Sequence, residues 1–186
     1  MKLPVSRSQR RRQARLRRLS LAVPGTVLVG LWLVGLFLPR HHAESARLEL
    51  AASPETIWQL LTDLDAMSDW RHDLAGLERL PGGPASVRWR EIRADGRTAA
   101  LEAVEVVPPV RLVVRSADAA PGTRWVYRLE PHAAGTRLEI REERDIGNPL
   151  VRAVVGLVGA GRDRIDGLAG DLERRLATRR DQVAAR

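Results

Sequence analysis

The sequence predicts an α+β protein: a strongly bent antiparallel sheet wrapped around one long C-terminal α-helix, behind a single N-terminal transmembrane helix. Three observations carry this. Residues 86–143 hold a run of strand-like segments separated by turn signals. After them Leu150, Val154, Leu157, Gly161, Ile165, Leu168, Leu172 and Leu176 recur every three or four residues, the stripe of one long amphipathic helix. Residues 19–38 carry no charge. Strands in series followed by a helix argue α+β rather than alternating α/β, and a bent sheet is the economical way to bury that stripe.

Taken in order, the first element is a basic arm. Residues 1–18 contain Lys2, Arg7, Arg10, Arg11, Arg12, Arg15, Arg17 and Arg18 and no acid. The apolar run 19–38 has the length of a membrane-crossing helix, which needs roughly 20 residues. Basic residues beside a span stay inside, so the arm reads as cytoplasmic and the rest of the chain as extracytoplasmic. A cleaved signal peptide is the rival, with Ala43-Glu44-Ser45 near a possible cut, but the run exceeds a typical h-region of about 7–15 residues. One Lys against thirty Arg points to a GC-rich bacterial source, hence a single-pass protein of the bacterial cytoplasmic membrane with a periplasmic domain. Residues 39–45 read as a linker, 46–180 as the domain and 181–186 as a tail.

Within the domain, Ala46–Leu50 alternates apolar and charged residues, as a strand does. Ser53 is placed to cap a helix with Pro54 at its first position and Glu55 in its first turn. A second short helical turn covers Asp65–Trp70. Strands follow at Ser86–Ile92, Thr98–Val107, Val110–Ser116, Thr123–Glu130 and Thr136–Glu143, punctuated by Ala94-Asp95-Gly96, Pro108-Pro109, Pro121-Gly122 and Ala133-Ala134-Gly135. Gly147-Asn148-Pro149 ends the strands and opens the long helix.

Charge narrows the function. The chain has 31 Lys+Arg and 23 Asp+Glu, a net +8. All eight charges of the arm are basic, so the remainder is formally neutral and offers no basic face for nucleic acid. There is no cysteine, hence neither disulfide nor thiolate metal site. His41, His42, His72 and His132 lack metal-ligand spacing, and Asp63, Asp65, Asp69 and Asp73 lack the calcium-loop pattern. No metal and no cofactor is expected. GLVGAG at 156–161 does not follow a strand into a helix start and is not a dinucleotide fingerprint.

Ala52-Ser53-Pro54-Glu55-Thr56-Ile57-Trp58, with Leu61, Asp63 and Trp70 downstream, resembles the opening signature of the SRPBCC superfamily. These are START-like, Bet v 1-like helix-grip domains of the polyketide cyclase/dehydrase and lipid-transport type. Gly135-Thr136-Arg137 and Arg141-Glu142-Glu143 before the last helix fit the same pattern. The resemblance implies a curved sheet gripping the last helix, with an apolar cavity between them for a hydrophobic small molecule. One fold of this kind hosts many unrelated functions, so the resemblance speaks to fold first.

Strand alternation names the cavity candidates. Val87, Trp89 and Glu91 share one face, as do Leu112 and Val114, then Trp125, Tyr127 and Leu129, then Ile140 and Glu142. With Gly161 and Ile165 from the helix, the expected lining is Val87, Trp89, Leu112, Val114, Trp125, Tyr127, Leu129, Ile140, Gly161 and Ile165. Plain core packing is the commoner role of such aromatics. Glu91 and Glu142 are inward acids, costly to bury unless paired or protonated. They serve as ligand contacts, as partners of an inward Arg, or as strand-end groups in water. The favoured function is a membrane-tethered binding module for a lipid-like or polyketide-like molecule. A cyclase or dehydratase using Glu91, Glu142 or Tyr127 for acid–base work is the alternative, and a protein–protein adaptor is a third. No convergent catalytic set is visible, which favours binding over catalysis.

Overall fold

The structure is a computed structural model and describes residues 25–83, 86–118, 122–158 and 162–184. Among them, four α-helices and one 3-10 turn accompany a seven-stranded antiparallel sheet. The helices are α1 (residues 25–37), α2 (Pro54–Thr62), α3 (Pro149–Val158) and α4 (Arg162–Ala184). The strands are β1 (His41–Leu50), β2 (Leu74–Leu80), β3 (Val87–Arg93), β4 (Thr98–Val107), β5 (Arg111–Ser116), β6 (Thr123–His132) and β7 (Gly135–Asp145). Their order across the sheet is β1-β7-β6-β5-β4-β3-β2. The chain divides into two compact units, residues 25–40 with Ile146–Val158, and His41–Asp145 with α4.

In the first unit α1 and α3 pack closely. Gly35 is buried against the Pro149 backbone, where a Cβ has no room. Arg152, buried on α3, donates to the Leu38 carbonyl at 3.0 Å. The expected span fails here. The described helix has thirteen residues and ends two residues before Pro39, which cannot continue it. No helix among the described residues is long and apolar enough to cross a membrane. This overturns the anchored, single-pass reading and the location drawn from it. The basic arm and residues 19–24 lie outside the described residues.

The second unit follows local rules closely. Ser53 Oγ accepts from Thr56 N at 3.3 Å, the expected cap, and α2 buries Ile57, Leu60 and Leu61. The 3-10 turn Met67–Asp69 is the second short helical element. Gly135 closes the β6–β7 hairpin with φ +139, a conformation open to glycine, and a Cβ there would strike the Leu50 carbonyl. Beside it Thr136 Oγ1 donates to the Ala52 carbonyl at 2.7 Å, tying the hairpin to the end of β1.

Three elements depart from the sequence reading. β1 begins at His41, so residues 41–45, expected as linker, pair with Arg141–Asp145 of β7. β2 has no counterpart in the predicted series, because Leu74-Ala75-Gly76-Leu77 lacks clean alternation and its register shifts between Leu74 and Gly76. The predicted single C-terminal helix is described as α3 and α4, with Gly159-Ala160-Gly161 between them outside the described residues. α4 buries Ile165, Ala169, Leu172 and Leu176 in one core with the inward faces of the sheet and with α2.

Candidate functional site

The inward face of the sheet and the first turns of α4 enclose a cavity of about 50 Å³. Register sets its floor in rows. Leu112 of β5 lies opposite Tyr127 of β6, which lies opposite Ile140 of β7. One rung along, Val114 faces Trp125, which faces Glu142. On the far side Trp89 of β3 pairs with Leu101 of β4. Leu61 of α2, and Met67, Trp70 and Arg71 in and after the 3-10 turn, close one wall; Arg164, Ile165 and Leu168 of α4 close another. The last three sit at i, i+1 and i+4 and so share a helix face.

Seven of the ten expected lining residues meet here: Trp89, Leu112, Val114, Trp125, Tyr127, Ile140 and Ile165. Val87, half exposed at the start of β3, and Leu129, fully buried in the core, lie elsewhere. Gly161 lies outside the described residues. Trp89 belongs to the core as well as to the cavity wall, so the packing and lining readings of that ring coincide.

The two inward acids are both buried and both paired. Glu91, 4% exposed, accepts from Arg71 Nη1 at 2.7 Å, and Arg93 Nη2 lies 3.8 Å from its other oxygen. Arg71 also grips Asp73 with two hydrogen bonds, Nε to Oδ1 at 3.0 Å and Nη2 to Oδ2 at 2.7 Å. Glu142, 2% exposed, accepts through Oε1 from Arg144 Nε, and Arg164 Nη1 stands 3.5 Å from the same oxygen. Of the three roles open to these acids, the geometry is that of partners to inward arginines.

Sequence reasoning missed Arg71, Arg93, Arg144, Arg164 and Trp70. A partial signal existed: Glu91-x-Arg93 and Glu142-x-Arg144 each put an acid and a base on one strand face. The contribution of Arg71 and Arg164 comes from other elements and has no local signature.

Electrostatics follow from these contacts. Burial opposes the Arg71 charge, but Glu91 and Asp73 outweigh it and hold the guanidinium above its ordinary value. Burial pushes Asp73 up, yet Arg71 and Arg93 prevail and keep its carboxyl below the ordinary 3.8. Burial, then Arg93 and Arg144, lower Arg164 against the pull of Glu142 and Glu91. Burial pushes the Tyr127 phenol up to about 12, with Glu91, Glu142 and Asp73 adding to the rise and Arg71 opposing it. Tyr127 is therefore a neutral hydrogen-bond donor at physiological pH. Three buried polar atoms of the lining residues have no hydrogen-bond partner among the described residues: Trp70 Nε1, Trp89 Nε1 and Glu142 Oε2.

Compared with known proteins, residues 41–177 match the family described as polyketide cyclase / dehydrase and lipid transport. No curated protein matches in sequence. A structural-genomics protein of Rhodobacter sphaeroides has a similar structure at TM-score 0.55 and 22% identity, covering 73% of this chain and 92% of that one. The di-domain ARO/CYC BexL of the BE-7585A biosynthetic pathway aligns at TM-score 0.61 and 11% identity, over 87% of this chain and 59% of its own. Norcoclaurine synthase of Thalictrum aligns at TM-score 0.61 and 12% identity, over 75% and 96%. At such identities the likeness is one of fold.

Proposed function

The chain belongs to the polyketide cyclase / dehydrase and lipid transport family, whose match spans well over half of it, and from that premise we propose that the cavity between sheet and α4 binds a hydrophobic small molecule, lipid-like or polyketide-like. The observation that carries this is the lining itself. An apolar floor of Leu101, Leu112, Val114, Trp125 and Ile140 meets a few converging polar groups, the composition expected of a small-molecule site.

Size adds a condition. A cavity of about 50 Å³ has room for little more than a water or two, whereas ligand pockets run to roughly 300–1,000 Å³. Uptake therefore requires the cavity to widen, and the side chains that must yield on the helix side are Arg164, Ile165 and Leu168.

Catalysis by the cavity carboxylates is the weaker reading. Glu91 and Glu142 both accept from guanidinium groups, the arrangement of ionic struts. Tyr127 is left as a proton donor with no base beside it that is free of arginine. The test is native mass spectrometry of the full chain purified from its host, with organic extraction of what is bound. A discrete copurifying lipid or polyketide near one-to-one supports the proposal. A clean apo mass, with no uptake from a host metabolite extract, counts against it.

A further inference from the structure

Resting on that reading, we infer that the cavity selects ligands carrying a carboxylate, and that Arg164 is the residue that takes the charge. The argument begins with how the ion pairs are shared out. Arg71, Arg93, Arg144 and Arg164 face Asp73, Glu91 and Glu142, each within 4.0 Å of at least one of those acids. Among the described residues four cations meet three anions. Arg71 is fully engaged by Glu91 and Asp73. Arg144 holds Glu142 Oε1 directly. Arg164 reaches only that same oxygen, at 3.5 Å, as its second guanidinium.

Glu44 does not restore the balance. It sits on β1 directly opposite Glu142, yet it does not line the cavity. Among the described residues no ion pair joins it to any of these arginines, and its buried Oε2 lacks a hydrogen-bond partner. Arg93 has two acid contacts, at 3.7 Å to Asp73 and 3.8 Å to Glu91, whereas Arg164, two-thirds buried beside Arg93 and Arg144, has one, shared with Arg144. A planar guanidinium matches a carboxylate with two parallel hydrogen bonds. A ligand carboxylate in place of the shared contact gives Arg164 an anion of its own. The ligand's apolar body would lie on Trp125 and Ile140.

The experiment uses two isosteric probes, 2-naphthoate and 2-naphthamide, titrated calorimetrically into the full-length protein. Binding of the acid about tenfold tighter than the amide, or more, is the expected result. In Arg164→Gln the preference disappears while amide binding persists; Arg164→Lys keeps part of it. Equal affinities in the wild type, or a preference that survives Arg164→Gln, overturn the inference and leave the hydrophobic-site reading standing. Failure of both probes to bind overturns the two together. The wild-type comparison needs no variant, so a poorly folded Arg164→Gln does not remove the test.

Discussion

At the scale of single residues, burial decides what an ion pair is worth. Glu91 and Arg71 are nearly shut off from solvent, with side chains 5% and 11% exposed. Truncating one partner strands the other's charge in a poorly solvated wall, which costs about 3–5 kcal/mol for a buried pair. Arg71 keeps Asp73, so Glu91→Ala is expected to cost the lower end of that range, about 3 kcal/mol. Glu78 and Arg90 make an equally short contact of 2.7 Å, but with both side chains about half in water. Glu78→Ala is accordingly expected to leave stability unchanged, because exposed pairs are screened and entropically costly. Urea denaturation of the two variants measures the contrast. Equal effects would mean that the cavity network is solvated.

At the scale of elements, one buried carboxylate ties α4 to the loop before β2. Asp171, buried on α4, accepts from the His72 backbone N–H at 2.9 Å, lies 2.8 Å from His72 Nδ1, and also accepts from Arg174. This fastens the helix to the loop that carries Arg71. Asp171→Asn keeps the shape and removes the charge, and is expected to cost about 1.5–3 kcal/mol, the value of hydrogen bonds to a charged group. Hydrogen exchange at the His72 amide should accelerate in step with it; an unchanged amide would place the anchor elsewhere. Glycines separate by site in the same way. Gly135→Ala forces a Cβ against the Leu50 carbonyl at positive φ, so a loss of roughly 1–3 kcal/mol is expected. Gly167→Ala, with open space around it in α4, is expected to gain up to about 1 kcal/mol. Thermal unfolding of the pair should show opposite signs.

Across the whole molecule, what the sequence revealed was whatever depends on near neighbours. The Ser53 cap, the alternation that turned Trp89, Trp125 and Tyr127 inward, and the turn at Gly135 are all local. The bulged β2 was illegible, because tertiary pairing overrides a weak local pattern there. The arginines of the site were hidden for the same reason: Arg71 meets Glu91 twenty residues along the chain, and Arg164 reaches Glu142 from another element. That long-range network predicts how the molecule responds to pH. Asp73 has a folded pKa below its ordinary 3.8, so its contribution is complete above that value and is lost as pH falls through the lower folded one. Tyr127 moves the opposite way. Its folded pKa of about 12 exceeds the ordinary 10.0, so its contribution is complete below pH 10 and disappears as pH rises toward 12. Two units correspond to at most about 3 kcal/mol. This alkaline limb is unusually clean. Tyr127 is the sole tyrosine, Lys2 is the sole lysine, and an ordinary arginine titrates above that range. Phenolate absorbance at 295 nm should therefore rise with a midpoint near 12, and wild-type stability should fall between pH 10 and 12 while Tyr127→Phe stays level. A midpoint near 10 would place the phenol in water and remove Tyr127 from the enclosed wall of the site.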